Sequence, residues 1–169
     1  MKKSMLILVF MALFSLNSNA QETATEILQA AVEKAQLESK HVFVKYSASW
    51  CGWCKKMGKQ LKTDPVKPLI DANYIIVDLV VNESKDNKNL ETPGGAQVLK
   101  AQGGSNSGLP FWVILDDQGK VVENSFNDQG QNLGCPATQP EVEEFIKKLK
   151  NTSELTDPEL ETIHAVFVK

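Results

Sequence analysis

The chain has 169 residues, 18 lysines and no arginine, and its 21 acidic residues give a formal net charge of −3. That length suits one ordinary domain. The mild acidity and the lack of arginine, the usual tool for gripping phosphate, argue against a nucleic-acid partner.

Residues 1–20 read as a secretory leader. Lys2 and Lys3 supply a positive start, residues 5–14 an unbroken apolar run, and Ser18 and Ala20 the small residues of a cleavage site. The run is shorter than the ~20 apolar residues a bilayer-spanning helix needs, so no stable membrane insertion is expected after cleavage behind Ala20. Gln21, not a cysteine, follows, which speaks against a lipid-anchored product. The expected mature chain keeps sixteen lysines against twenty-one acids, a net charge near −5. Export to a bacterial periplasm is the first expectation, with an extracellular location as the alternative.

Thr23 and Glu26 stand at capping-box spacing, and Ile27, Leu28, Ala31, Val32 and Ala35 recur at helical intervals behind them. Residues 41–47, "HVFVKYS", read as a strand. Residues 51–62 hold helix formers with little β-branching, and residues 63–73 receive no element. The run "YIIVDLVV", 74–81, suits a strand covered on both faces. The segment 82–108 is polar and glycine-rich, and is expected to be loop except for a short helix at "AQVLKAQ". "FWVILD" and "KVVENSF" flank a "DQG" turn as a hairpin. Thr138 and Glu141 open another capped helix, and a last one runs from Thr156 to about Phe167. Helices between the early strands imply parallel pairing, and the late hairpin implies an antiparallel pair. An α/β fold follows, with a central mixed sheet between helical layers and an additional C-terminal helix. The expected divisions are a leader at 1–20, one domain at 21–150, and a helical extension at 151–169 packed on it.

Of the three cysteines, Cys51 and Cys54 sit in "SASWCGWCKKM" and Cys135 stands apart. Export would place all three where disulfides persist. Cys51 follows a strand and opens a helix, whose unpaired N–H groups and partial positive charge favour a thiolate. Two intervening residues bring Cys54 within disulfide reach. Cys51 is expected to be the exposed nucleophile and Cys54 the sheltered resolver, in an exchange that needs no cofactor. Covalent haem would want a histidine where Lys55 stands. Structural zinc would need four ligands, and only Cys135, His41 and His164 remain, scattered along the chain, so no metal is expected. A purely structural disulfide would close so short a loop that it stabilises little.

"WCGWCK" after an apolar strand resembles the active-site segment of thioredoxin-fold proteins, and "GLPFWVILDDQGKVV" is similar to the family's segment around its cis-proline. The resemblance covers roughly 40–150. It implies a three-layer α/β/α fold and thiol–disulfide exchange, with Pro110 as the cis-proline beside the sulfurs and Leu109 offering backbone hydrogen bonds to an extended substrate. Trp50, Gly52 and Trp53 complete the implied substrate contacts. The implied partners are cysteine-containing protein substrates and a membrane thiol-transfer protein as electron donor. Reduction or isomerisation of protein disulfides is the first expectation. The alternatives are a disulfide-introducing oxidase, or a non-catalytic binding or chaperone module with a structural disulfide.

Three departures from the family pattern stand out. Lys45 occupies the position, six before the first cysteine, where the family carries a buried acid. It would tune the thiolate if charged, serve as a base if neutral, or do nothing if it snorkels to the sheet edge. Gly52 and Trp53 replace the usual intervening pair. The long 82–108 segment is expected to rim the site. Trp50 is expected to pack under the active-site loop, Trp112 in the core, and Cys135 to be buried. Lys55, Lys56, Lys59 and Lys62 form a basic helix surface, read either as a solvated face or as steering toward acidic partners.

Overall fold

The computed structural model describes residues 21–168. The expected leader, residues 1–20, lies outside them.

Helix α1 (Ala24–Glu38) starts on the capping box the sequence shows, with Thr23 as N-cap. Strand β1 (His41–Ser47) follows, then α2 (Gly52–Leu61), α3 (Val66–Asn73) and β2 (Tyr74–Val80). A 3₁₀ segment (Lys85–Leu90) and α4 (Gly95–Ala101) lead to the hairpin of β3 (Phe111–Leu115) and β4 (Val121–Asn124). Helices α5 (Gln139–Asn151) and α6 (Asp157–Phe167) close the chain, each starting behind its predicted cap residue, Thr138 and Thr156. The sheet order is β2-β1-β3-β4. β1 pairs parallel with β2, and both β1–β3 and β3–β4 are antiparallel. The mixed sheet with helices on both sides is thus as the sequence implies.

Two elements depart from the sequence reading. Helix α3 fills a stretch given no element. It is short, and Pro65 and Pro68 read as punctuation, yet a proline is tolerated in a first helical turn, where its missing N–H has no intrahelical partner. Val66 and Ile70, four apart, bury its apolar face. The 82–108 segment also carries the 3₁₀ turns within its polar part.

Alternation along β1 divides the core. Val42, Val44 and Tyr46 face α1 and α4 in an aliphatic cluster with Val77, Leu79 and Leu99. Phe43 faces the other side, against Trp112, Phe145 and Phe167. There Phe43 stacks on Trp112 at 5.3 Å, and Phe145 meets Phe167 at 5.0 Å. Burying each such ring contributes about 1.5–3 kcal/mol. Leu160, Ile163 and Phe167 of α6 enter this same cluster, and Gln60 Nε2 of α2 donates to Val166 O at 2.9 Å. Gly104 is a point of close approach: a Cβ there would lie 2.3 Å from Leu99 Cδ1 and 2.6 Å from Phe111 Cδ1.

Candidate active site

Strand β1 ends at Ser47, and a four-residue link delivers the chain to α2. Cys51 is the N-cap of that helix, in extended backbone conformation, and its Sγ accepts a hydrogen bond from the Cys54 N–H at 3.1 Å. Cys51 and Cys54 are joined in a disulfide, with Cα atoms 5.3 Å apart. The sulfur that caps the helix therefore sits at the helix's electropositive end.

The expectation of an exposed Cys51 beside a sheltered Cys54 does not hold for this disulfide form. Cys51 is 3% exposed and Cys54 2%. Both sulfurs are bonded to each other and packed with Ala48, and Leu109 covers that small cluster. The Leu109–Pro110 peptide is cis, as the resemblance implies, and Pro110 is buried. Asn132 Nδ2 donates to Pro110 O at 3.1 Å and to Gly108 O at 2.7 Å, which fixes this segment from below.

The two tryptophans lie outside. Trp50 is 58% exposed, which corrects the expectation that it packs under the loop. Its indole N–H reaches Asn82 O at the loop's edge, so the ring stays at the surface. Trp53 is also exposed, with the Lys56 ammonium 5.0 Å from its ring centroid. Gly52 is exposed between the cysteines.

The polar segment after β2 meets the active-site loop, as expected of a rim. Buried Glu83 accepts from the Ser49 backbone N–H and, at 2.7 Å, from its hydroxyl. The Glu83 N–H in turn donates to Glu91 at 2.8 Å. The Lys88 ammonium beside Glu91 holds the Glu91 carboxyl below the usual range. Neither Asn82 nor Glu83 was singled out by sequence; the acid in a polar run carries no local sign that it will be buried.

Lys45 neither snorkels nor stands alone. Its side chain is 5% exposed and its Nζ lies 2.6 Å from Asp78 Oδ2. Asp78 is its register partner across the parallel β1–β2 pair, and the Ser47 hydroxyl donates to the other Asp78 oxygen at 2.6 Å. Asp78 was missed; its one sequence signal is the single acid inside "YIIVDLVV". Trp112 and Cys135 are buried as expected, and the Cys135 thiol donates to Gln60 Oε1 at 3.3 Å.

Two depressions lie near the active-site loop. A groove of about 440 Å³ is lined by Trp53, Leu109, Leu133 and Cys135 among others. A second depression, a cleft of about 650 Å³, is lined by Cys54, Lys45, Asp78 and three further lysines. Among the described residues no cluster of three or more metal-ligating side chains occurs, and no helix is long and apolar enough to cross a membrane.

The profile of the family described as thioredoxin-like matches residues 23–117, more than half of the chain. The chain belongs to the thioredoxin-like family. Among solved structures it is similar to a disulphide isomerase from Xylella fastidiosa Temecula1, at 18% identity and a TM-score of 0.53, over 90% of this chain and 96% of that one. The DsbD C-terminal domain of Neisseria meningitidis in its oxidised form aligns at 23% identity and a TM-score of 0.48, over 79% and 99%. A thioredoxin from Thermus thermophilus aligns at 21% identity and 0.48, over 73% and 81%. The Xylella likeness shows a shared fold. No curated protein matches the chain.

Proposed function

We propose that the chain is an exported thiol–disulfide oxidoreductase that reduces or isomerises disulfides of other proteins, acting in the periplasm. One observation carries the reading: a disulfide between the N-cap of a helix and the residue three further on, beside a cis-proline. In the reduced protein the Cys54 N–H and the helix start stabilise negative charge on Cys51. The Cys51 thiolate attacks one sulfur of a substrate disulfide, and the other substrate sulfur leaves as a thiolate that takes up a proton. Cys54, deprotonated, then attacks Cys51 and releases the substrate as a dithiol. Two electrons pass from the pair to the substrate, and a membrane thiol-transfer protein restores them. Trp50, Gly52, Trp53, Leu109 and Pro110 form the substrate surface, the last two meeting an extended segment. Residues 1–20 supply export, and no cofactor takes part.

A second reading is a disulfide-introducing oxidase, and Lys45 favours it. A buried ammonium near Cys54 favours the reduced, anionic pair over the disulfide, which makes the disulfide more oxidising. The reduction potential against glutathione separates the two. A value near ~−270 mV supports the reductase and one near ~−120 mV the oxidase.

The proposal asks that Cys51 become reachable once reduced. In the reduced protein iodoacetamide should modify Cys51 at a pH where an ordinary thiol, of pKa about 8.5, is still protonated. Labelling no faster than that of buried Cys135 would sink the catalytic reading, as would a Cys51→Ser protein that still reduces insulin.

A further inference from the structure

Helix α2 breaks two local rules. It carries Lys55, Lys56 and Lys59 and no acid, and Lys62 is its C-cap. Lys55 and Lys59 stand four apart, a like-charge spacing that weakens a helix. Lys55 and Lys56 also sit just past the first turn, near the end where the helix's own partial charge is already positive. Lysines on α1, α3 and α5 are answered: Lys34, Lys67, Lys147 and Lys150 each lie within ion-pair distance of a carboxylate. Among the described residues no carboxylate lies that close to Lys55, Lys59 or Lys62. Such conflicts between local rules and the sequence concentrate at functional sites.

The fold gathers these three charges. Lys55, Lys59 and Lys62 are exposed and line one wall of the 650 Å³ cleft that reaches Cys54. The acid on the opposite wall, Asp78, is already engaged by Lys45 and Ser47. Lys56 turns away, over Trp53. The cleft is thus an unneutralised positive surface on a chain whose net charge is −3. From Lys55 to Lys62 the helix rises about 10 Å, the length of roughly three extended residues.

We infer that this cleft docks a short acidic segment of the protein whose cysteines exchange with Cys51 and Cys54. The inference rests on the oxidoreductase reading and adds the charge of the substrate. The lysines raise the encounter rate of an acidic partner and hold it beside the disulfide, while the exchange itself proceeds as above.

The test uses peptides that share one intramolecular disulfide loop and differ only in flanking residues: a run of aspartates, of serines or of lysines. The reduced full chain should reduce the aspartate-flanked peptide at least about tenfold faster than the serine-flanked one at low ionic strength. High salt should erase most of that advantage. The three lysines are exposed, so K55E/K59E/K62E keeps the core, and it should prefer the lysine-flanked peptide instead. Equal rates for the aspartate- and serine-flanked peptides with wild type overturn the inference. So does a preference that survives charge reversal, or a lysine-dependent advantage shown by glutathione disulfide and not by the acidic peptide. A cysteine-free aspartate peptide titrated onto the oxidised chain separates this inference from the reading beneath it. Lysine-dependent binding without any exchange sinks the oxidoreductase and keeps the cleft; exchange without charge preference does the reverse.

Discussion

The two hollows near the disulfide differ in the charge of their walls. On one, Trp53, Leu109, Leu133 and Cys135 stand with Asn132, Thr138 and one carboxylate, Glu141. On the other, Lys45, Lys55, Lys59 and Lys62 make a charged cleft with Asp78 as its single acid. The groove comes mainly from loops, the segment before β3 and the stretch between β4 and α5, which the Asn132 side-chain amide ties together by donating to the carbonyls of Gly108 and Pro110. The cleft comes from a helix face laid over two strands, and its floor is an ion pair set by strand register. Trp53 of α2 borders the groove and Cys54, the next residue, borders the cleft, so neighbouring residues of one short helix open on two surfaces of different charge.

Changes on the two sides should fail in different currencies, stability for the cleft floor and substrate affinity for the groove. The largest effect is expected at Asp78. Asp78→Asn leaves the buried Lys45 ammonium without its half-exposed counter-charge and should lower the unfolding free energy by about 1–3 kcal/mol, read as a fall in the denaturant midpoint at unchanged slope. A midpoint within error of wild type would mean the pair does not hold the floor. Next is Trp53→Ala. It removes an exposed ring from the groove and should weaken substrate binding by about 2 kcal/mol, roughly thirtyfold in KM for a neutral peptide disulfide. An unchanged KM would remove Trp53 from the substrate surface.

Lys45→Met tests the same floor from the redox side. Without the ammonium the reduced pair loses its electrostatic support, and the potential should fall by on the order of 30 mV, about 1.4 kcal/mol. A rise in potential would mean that the charge acts on something other than the sulfurs. The smallest effect concerns pH. Hydrogen bonds from Thr23 hold the Glu26 carboxyl below its usual value, and those from Thr156 do so for Glu159. Burial alone would raise Glu141, but hydrogen bonds from Thr138 and Ala137 outweigh it and hold it low as well. Depressed carboxyls contribute stability that is complete above their unfolded value, about 4.3, and is lost as pH falls through the lower folded values. Thermal midpoints should hold from pH 7 to about 5 and drop below that. Glu26→Gln, Glu141→Gln and Glu159→Gln together should flatten the acid limb, while the two hollows keep their difference.

Most of the element order was readable because its signals are local. The helix caps at Thr23, Thr138 and Thr156 lie where they were expected, and so does the strand that starts at His41. Helix α3 was illegible because two prolines masked a face only two buried residues wide. The exposure of Trp50 and the burial of Cys51 were misread for one reason. Which side chain lies uppermost at a loop–helix junction depends on the segment packed against it, here Asn82 and Leu109, far along the chain.

By itself the sequence determined the strand–helix junction that carries Cys51 and Cys54, the proline beside them and the mixed α/β architecture. Each of these is written in hydrogen-bonding patterns and periodicities a few residues long. Tertiary structure alone decided that Lys45 meets Asp78, 33 residues away, that Glu83 clamps Ser49, and that three lysines line one cleft. Parallel register and the docking of a helix on a sheet join residues with no short-range relation, so their pairing energy leaves no mark in any local stretch of chain.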